Sequence, residues 1–499
     1  MSNLHRRHPA LPDAANPRRL LAKLWHDAGL TPEALSWIDL DHNRSGPLAK
    51  AQHAVLPSSF AVASAAQASL AAAALAAAKL WALRHPDEPA QRVRVDRRHA
   101  ALECMTRFQV NGQSPPMWDK LSGLYRCGDA LAGQRGGWVR LHANFAHHRD
   151  AALRLLGLPE GDQTERPALT QALARWPAED FELALNQAGG VAAAARSLAQ
   201  WDEHAQGQAV AAQPLLQIDR IADADPLAWP AVSADQAPLS GLRVLELTRI
   251  LAGPVAGRCL AAYGADVLLV NGPHLPNIDA IADTSRGKLS CLIDLRQPTG
   301  RGQLAALSAQ AHVFLQGYRP GSLDMRGLSA QQLAQARPGI VVVELSAYGW
   351  TGPWADRRGF DSLVQTATGL NLAEAQAAGT TQPQALPLPI LDYAAGHLLA
   401  FGAQAALLRQ QTEGGSWRVR VSLAGVGHWL RQMGQRPQDL ATVPPAADES
   451  EALMDEQASG FGRLRALRHA AQFSRTPAVW IRPAMPPGSH APAWPAPEA

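Results

Sequence analysis

Short, mostly apolar runs recur through the second half of the chain. They are LRVLELT (242–248), ADVLLV (265–270), AHVFLQ (311–316) and GIVVVELS (339–346). Segments with helical periodicity separate them, and such an alternation predicts repeated β-α units. Runs without polar alternation are typical of strands buried on both faces of a parallel sheet. We therefore predict an α/β fold over residues 239–428, with an open, mostly parallel Rossmann-like sheet flanked by helices.

The first half of the chain has a different pattern. Residues 1–48 are polar and punctuated by prolines, which predicts an N-terminal arm. Residues 49–116 hold an Ala-rich helix and a strand, and residues 117–212 alternate short β patterns with amphipathic helices, as a smaller α+β domain would. A Pro- and Asp-rich linker is expected at 213–238. The Pro-rich extension at 429–499 is expected to wrap a surface.

The Ala-rich helix at 60–84 carries several polar side chains, including Lys79, and we predict that it is buried against the large domain rather than in a membrane. The RVRVD that follows it resembles the RVRVS that follows a second Ala/Leu-rich helix ending near Arg409. Aligned from the ends of the two helices, Gln67 falls opposite Asp392. A true duplication and a chance likeness both remain open.

Composition narrows the classes of function. The chain has 499 residues, enough for two or three domains, with 47% hydrophobic and 18% charged residues, as in a soluble globular protein. The formal net charge of +3 is too small to argue for nucleic acid or an anionic membrane as partner. The four cysteines form no CxxC pair and the start holds no secretory signal pattern, so we expect reduced thiols and a cytoplasmic location.

Several common site motifs are absent from the sequence. No GxGxxG or GxxxxGK[ST] follows a predicted strand, and there is no GxSxG elbow. His142, His147 and His148 stand together in HANFAHHRD, without HExxH spacing or a cysteine partner. We therefore interpret them as a solvated cluster and expect no metal site.

Asp392 stands where the apolar run PLPIL meets an Ala/Leu-rich stretch, a pattern typical of a helix start. The positive end of a helix favours an ionised carboxylate, and Ala394, Ala395 and Gly396 leave room for a substrate. Asp is also a preferred N-cap, and on this segment alone capping is the stronger interpretation.

Five segments together resemble the family III CoA-transferases, which include formyl-CoA and carnitine-CoA transferases and the related α-methylacyl-CoA racemases. They are PLSGLRVLELTRILAGP, SRGKLSCLIDL, AHVFLQGYRPGSLDMRGLS, ELSAYGWTGPWADRRGFDSL and LPILDYAAGHLLAF, in the family's order. The resemblance implies a transferase that moves CoA between an acyl-CoA and a carboxylic acid. It also implies that Asp392 is the nucleophile, forming an aspartyl–acyl anhydride and an aspartyl-CoA thioester.

The resemblance implies roles for other residues and for partners. Coenzyme A, bound as acyl-CoA, is the implied cofactor, acids and acyl-CoA are the small-molecule partners, and a homodimer is the implied assembly. The implied CoA-site residues are Arg249, Ile250, Leu251 and Ala252 around the thiol end, Lys288 near CoA, Tyr318 beside adenine or pantetheine, and Tyr348 near the acyl group. Without the resemblance, both tyrosines would be interpreted as packing residues.

The order of the segments and some positions depart from the family pattern. The segments that resemble the family's small domain, from GLYRCGDALAG to AQWDEHAQG, precede the large domain, and RPAMPPGSHAPAW resembles its C-terminal tail. Gly317 stands where the family often has Asn, and Asn271 and Gly272 stand where a charged residue is common. No evident glycine-rich loop closes over the nucleophile, unless GQRGG (133–137) does so.

Two other interpretations remain. Racemases of the family pair the aspartate with the histidine of a G-H-D segment, whereas this chain has Gly359, Phe360 and Asp361, which disfavours racemisation. The reordered domains also suggest a catalytically idle CoA-binding relative, although the retained Asp392 argues against one.

Overall fold

The structure is a computed structural model that describes residues 13–40, 54–129 and 136–495. Much of the predicted N-terminal arm, and most of the GQRGG segment at 133–137, lie outside these residues.

Within the described residues the chain forms sixteen strands. They are β1 (Ile38–Asp39), β2 (Val93–Val95), β3 (Phe108–Val110), β4 (Gly123–Cys127), β5 (Gly137–Leu141), β6 (Ala192–Ala194), β7 (Gln217–Ala222), β8 (Arg243–Leu247), β9 (Asp266–Asn271), β10 (Lys288–Leu292), β11 (Val313–Gln316), β12 (Val341–Ser346), β13 (Ser416–Ser422), β14 (Met454–Ser459), β15 (Gly462–Leu467) and β16 (Ala471–Phe473).

The same residues form seventeen α-helices. They are α1 (Pro17–Asp27), α2 (Val62–Arg84), α3 (Arg97–Glu103), α4 (Ala146–Leu155), α5 (Arg166–Leu173), α6 (Ala178–Gln187), α7 (Leu198–Glu203), α8 (Ala205–Ala211), α9 (Ala252–Ala262), α10 (Ile281–Thr284), α11 (Pro298–Ser308), α12 (Ala330–Ala336), α13 (Asp361–Ala367), α14 (Leu370–Ala377), α15 (Ile390–Glu413), α16 (Leu423–Gln432) and α17 (Ala447–Glu451).

The central sheet has seven strands in the order β10-β9-β8-β11-β12-β13-β7. All neighbours are parallel except β7, which runs antiparallel to β13 at one edge. The predicted open, mostly parallel sheet is therefore confirmed. The chain leaves β8 for β9 and β10 on one side and returns to β11 on the other. At such a reversal the loops after the two central strands diverge, which opens a crevice at their carboxyl ends.

Successive side chains of the central strands pack into two different apolar layers, one on each face of the sheet. Val341 and Val343 of β12 join the layer that contains α9 and α15, whereas Val342 faces the layer that contains Leu304 of α11 and Leu333 of α12. Because side chains alternate across a strand, a continuous apolar run buries both faces of the sheet.

Helix α2 lies against α15 in the core. The Gln404 side-chain amide donates to the Ala73 carbonyl at 3.0 Å, and the Ser69 hydroxyl contacts the His397 ring. Among the described residues, α2 is the one helix long and apolar enough to span a membrane, and 83% of its apolar window is buried inside the protein. A helix that is apolar on every side needs a fully apolar surrounding, and here α15 supplies part of it.

The two stretches with similar sequences, each a helix followed by a strand (α2–β2 and α15–β13), share a type of helix cap after the strand. Their strands, however, lie in different sheets. Asp96 accepts the His99 N–H after β2, and Ser422 accepts the Gly425 N–H after β13, both at the i+3 position. However, β13 lies in the central sheet, whereas β2 pairs with β1 and β16 in a small sheet of its own. Gln67 donates to two main-chain carbonyls in the core.

Two predicted irregular segments contain secondary structure. The expected linker at 213–238 supplies β7, and the expected surface extension at 429–499 supplies α17, β14, β15 and β16. These strands alternate polar residues with few apolar ones, as edge and surface strands do, so the search for apolar runs missed them.

The small domain is held to the large domain beside the crevice. Its sheet, β4-β5-β6, packs with α4 and α6 around its own apolar cluster. The Arg196 N–H donates to the Thr366 carbonyl of α13, and Glu182 of α6 pairs with Arg357 of the large domain at 3.0 Å. These contacts place the start of α4 at the carboxyl edge of the central sheet.

Candidate active site

A cavity of about 370 Å³ lies at this carboxyl edge, where the loops after β8 and β11 diverge. Large-domain segments 249–252, 317–320 and 357–360 line it, and Asp392 of α15 faces into it. The small domain contributes Phe145, His147 and His148. Thus one chain supplies both walls of the cavity.

The loop after β8 is tight and strained. Ile250 has a φ of 76°, a conformation that β-branched residues rarely adopt. A Cβ on Gly253 would lie 2.4 Å from the Cβ of Thr248, so glycine is required where α9 packs back on this loop. Backbone strain of this kind is kept where the surroundings hold it, commonly at ligand sites. Arg249, Ile250, Leu251 and Ala252 all line the cavity.

Asp392 lies beside this loop because two helices approach each other closely. A Cβ on Gly396 would lie 2.6 Å from the Ala252 carbonyl oxygen, so glycine allows α15 to pack directly on the start of α9. The nucleophile candidate and the loop that resembles a CoA-thiol loop are therefore neighbours.

Asp392 is not the cap of its helix. The N-cap position of α15 is Pro389, without a side-chain cap, and Asp392 is already in the first turn. Instead, Oδ2 of Asp361 accepts the Asp392 backbone N–H at 3.0 Å. The capping interpretation of Asp392 is therefore wrong, and its carboxyl group is available for other chemistry.

Contrary to the expectation from the helix end, the pKa of Asp392 is raised rather than lowered. Only 8% of Asp392 is exposed, and burial, together with the nearby Asp361 carboxyl, holds the pKa of Asp392 well above its usual range. Burial also raises the pKa of Asp361 to about 6, although main-chain donors act in the opposite direction. A helix terminus contributes about 0.3–1 kcal/mol, which is less than the cost of desolvating a carboxylate.

Lys288 does not line the cavity. Its side chain is fully buried, and Nζ lies 2.8 Å from Oε2 of Glu246 and 2.8 Å from the Pro254 carbonyl. A Cβ on Gly257 would collide with Glu246, so the pair is tightly enclosed. Lys288 therefore ties β10 to β8 and to the start of α9.

The two tyrosines differ in position. Tyr318 lines the cavity. Tyr348 is 1% exposed and stacks edge-on against Trp354 at 5.1 Å. Its burial raises its pKa to about 12. Tyr348 is a packing residue behind the cavity wall rather than a lining residue.

Two of the three histidines in HANFAHHRD are buried, contrary to the interpretation as a solvated cluster, whereas His147 is exposed. His142 and His148 are both buried, and the His142 ring stacks on Phe360 with centroids 3.9 Å apart. Burial, together with nearby cationic groups, lowers the pKa of both imidazoles to about 3, so both are neutral at pH 7. No group of three metal ligands occurs in the described part of the chain.

Sequence analysis also missed the cationic character of the cavity. Arg249, Arg319 and Arg358 line it, and none of the three pairs with a carboxylate of the described residues. Arg357 differs because it pairs with Glu182. The arginine pair at 357–358, next to Phe360 and Asp361, was a readable signal, although the sequence did not show which of the two pairs with a carboxylate.

The comparison with protein families decides the class of this domain. Residues 239–443 match the sequence model of CoA-transferase family III. This part of the chain is a CoA-transferase family III domain. The family III match extends beyond the expected boundary at 428 and includes all of α16.

Individual relatives of the family III domain carry related names. The chain is 31% identical over 335 residues to an acyl-CoA transferase of Gibberella moniliformis, covering 62% of this chain and 58% of that protein. It is 32% identical over 208 residues to a succinate–glutarate CoA-transferase of Agrobacterium fabrum, covering 38% of this chain and 52% of that protein. The chain thus spans little more than half the length of these relatives.

Solved structures show a similar partial match. The chain is 26% identical to a CaiB/BaiF family protein from Brucella suis, with a TM-score of 0.36, covering 46% of this chain and 65% of that one.

Proposed function

We propose that this protein transfers CoA from an acyl-CoA to a carboxylic acid through covalent intermediates on Asp392. The proposal rests on the position of the Asp392 carboxyl group. Asp361, and not Asp392, accepts the N–H at the start of α15, and Asp392 faces a cavity at the carboxyl edge of the family III sheet. Ligands of open α/β sheets bind at this edge.

The first half of the reaction forms two intermediates. An Asp392 carboxylate oxygen attacks the thioester carbonyl, the C–S bond breaks, and CoA leaves as a thiolate. The first intermediate is an aspartyl–acyl anhydride on Asp392. The thiolate then attacks Cγ of Asp392 and releases the donor acid as a carboxylate. The product is an aspartyl-CoA thioester.

The second half runs the same steps in reverse with another acid. The incoming carboxylate attacks Cγ of Asp392 and expels the thiolate, which forms a new mixed anhydride. The thiolate next attacks the acceptor's carbonyl, which yields the new acyl-CoA and regenerates the Asp392 carboxylate. No electrons or protons are gained or lost overall, so no redox cofactor is required.

The raised pKa of Asp392 suits a group that must both attack and leave. A poorly solvated carboxylate is a stronger nucleophile than a well-hydrated one. Positive charge on the arginines that line the same cavity favours the ionised form of Asp392. The names of the relatives support the substrate class: thioesters of CoA and small carboxylic acids. A cytoplasmic homodimer is part of the same proposal.

Mass spectrometry of the intact protein tests the proposal. Incubation with an acyl-CoA should add the mass of an acyl group or of CoA, and hydroxylamine, which intercepts anhydrides and thioesters, should convert Asp392 to a hydroxamate. The matched control is Asp392→Asn, which should acquire neither label. An adduct at another residue, or full transfer by a verified Asp392→Asn protein, would overturn the proposal.

A further inference from the structure

A second cavity, of about 380 Å³, lies toward the opposite edge of the central sheet from Asp392. Arg286, which lines this second cavity, stands two residues before the first residue of β10, at the amino end of that strand. Among the described residues, none lines both cavities. Apart from His99 and Arg286, the lining residues of the second cavity lie within 453–480, beyond the family III match. The match to the family therefore says nothing about what the second cavity binds.

Much of the lining of the second cavity is apolar. Leu464 of β15 contributes aliphatic surface, and Phe473 of β16 and Trp480 contribute aromatic surface. Two contacts fix the Trp480 indole: its Nε1 donates to the Arg258 carbonyl at 2.9 Å, and Cζ of Arg286 lies 3.8 Å from the ring centroid. Aromatic side chains pack well against other rings in offset or edge-on arrangements, so this lining suits a planar, apolar molecule.

A buried group of three basic and two acidic side chains adjoins the second cavity. Arg258 and Arg286 share the Asp283 carboxylate, and Arg258 and His469 share the Glu103 carboxylate. Burial opposes the protonation of His469, but the Glu103 carboxylate raises its pKa to about 9, so the imidazole is charged at pH 7. Each of the five side chains is at most 6% exposed. Three cations therefore share two carboxylates, and one positive charge is left without a partner in a buried setting.

Arg286 presents this charge to the second cavity. A guanidinium group has five N–H donors. Nε of Arg286 donates to the Asp283 carbonyl at 3.2 Å, Nη1 to the Leu467 carbonyl at 2.9 Å, and Nη2 to the Asp283 carboxylate. One N–H on each Nη atom remains without an acceptor among the described residues, and two such donors match the two oxygens of a carboxylate.

The other ionisable groups of the lining do not balance the charge among the described residues. Burial lowers the pKa of His99, so this imidazole is neutral at pH 7. Asp455 pairs with Arg468 at 3.0 Å, and both are exposed. A buried charge without a counter-charge is unfavourable, and a bound anion would remove that cost.

We propose that the second cavity binds a small aromatic monocarboxylate, with its carboxylate against Arg286 and its ring against Trp480 and Phe473. One carboxylate supplies the single negative charge that the buried group lacks. The ring covers the apolar lining, which a smaller anion would leave in contact with water. This ligand is distinct from the substrates of the transfer reaction, because the second cavity lies away from the carboxyl edge that holds Asp392.

Calorimetry of the full-length protein with benzoate tests the proposal. Benzoate should bind at least about 10-fold more tightly than benzamide, which keeps the ring without the charge, and than acetate, which keeps the charge without the ring. Val479 lines the second cavity and is 52% exposed. Val479→Glu places a like charge at the rim and should weaken benzoate binding about 5–10-fold, whereas Val479→Lys should not weaken it. Ile481→Glu is the matched control, because Ile481 is exposed on the same segment but does not line the second cavity.

Competition separates the second cavity from the active site. Saturating CoA should leave benzoate bound, and Arg286→Gln should lose the preference for benzoate over benzamide. Equal binding of benzoate and benzamide, equal effects of Val479→Glu and Ile481→Glu, or complete displacement of benzoate by CoA would overturn the proposal. A wild-type protein that binds no benzoate would overturn it as well. None of these results bears on transfer at Asp392, which the labelling experiment tests separately.

Discussion

The Asp361 carboxylate accepts the backbone N–H of Asp392, with Oδ2 and N 3.0 Å apart. Asp361 therefore caps α15, and Asp392, in the first turn of the same helix, lines the cavity. Because the two acidic groups are neighbours in a buried setting, each raises the cost of ionising the other. This pair explains how a helix start can hold a reactive acid rather than a cap.

Replacement of Asp392 by Asn should abolish transfer without harming the fold. The amide cannot form an anhydride, so activity should fall by several orders of magnitude. Folding raises the pKa of Asp392, so this side chain destabilises the folded protein once the pH rises above the pKa that Asp392 has in the unfolded chain. The Asn variant should therefore melt at the wild-type temperature or higher at pH 7. Thermal melts and initial rates check both parts. A variant that melts much lower would indicate a structural role.

Replacement of Asp361 by Asn should shift the pH dependence of transfer. Asp392 is protonated and unreactive below its raised pKa, so activity rises with pH through that value. The Asn side chain at 361 would keep an oxygen that accepts the Asp392 N–H but would remove the negative charge. The pKa of Asp392 should then fall, so the acid limb of the pH profile of kcat/KM should move to lower pH. Asp356→Asn, which alters an exposed carboxylate of the same loop, is the control. An unmoved limb would show that Asp361 does not influence Asp392 electrostatically.

Lys288 should behave as a structural residue rather than a CoA ligand. Lys288→Met leaves Glu246 buried without its partner, which should cost about 3–5 kcal/mol of unfolding free energy in denaturant titrations. The double variant with Glu246→Leu should regain most of that loss. KM for acyl-CoA of the folded fraction should stay near the wild-type value. Normal stability combined with a raised KM would instead restore the role that the family resemblance implied.

His469 should make stability depend on pH far from the active site. Nδ1 of His469 contacts Glu103, and the buried Glu103 carboxylate is the main reason that the pKa of His469 rises to about 9. A histidine with a raised folded pKa stabilises fully below its unfolded pKa of about 6.5 and loses that contribution as pH rises through about 9. The melting difference between wild type and His469→Gln should therefore be largest near pH 6 and small near pH 10. His26→Gln, at an exposed position, is the control.

The expected homodimer is tested by light scattering of the purified protein. A mass near twice 53.2 kDa across a range of concentrations supports it. A mass of one chain at every concentration contradicts it, and would agree with a cavity whose two walls come from a single polypeptide.

The sequence by itself determined the architecture of the second half of the chain. Apolar runs that alternate with helices leave few topologies other than a parallel sheet, because such strands must be covered on both faces. The sequence also singled out Asp392 and the loop at 249–252, because the motifs that contain them resemble those of the family III CoA-transferases.

Only the tertiary structure decided what each polar side chain does. Asp392 is not a cap because Asp361, which precedes it by 31 residues, accepts the N–H instead. Lys288 does not line the cavity because it pairs with Glu246, 42 residues away in the sequence. The buried state of His148 depended on packing between two domains. Local patterns report the tendencies of the backbone, whereas the charge and accessibility of a side chain depend on partners that only folding brings into contact.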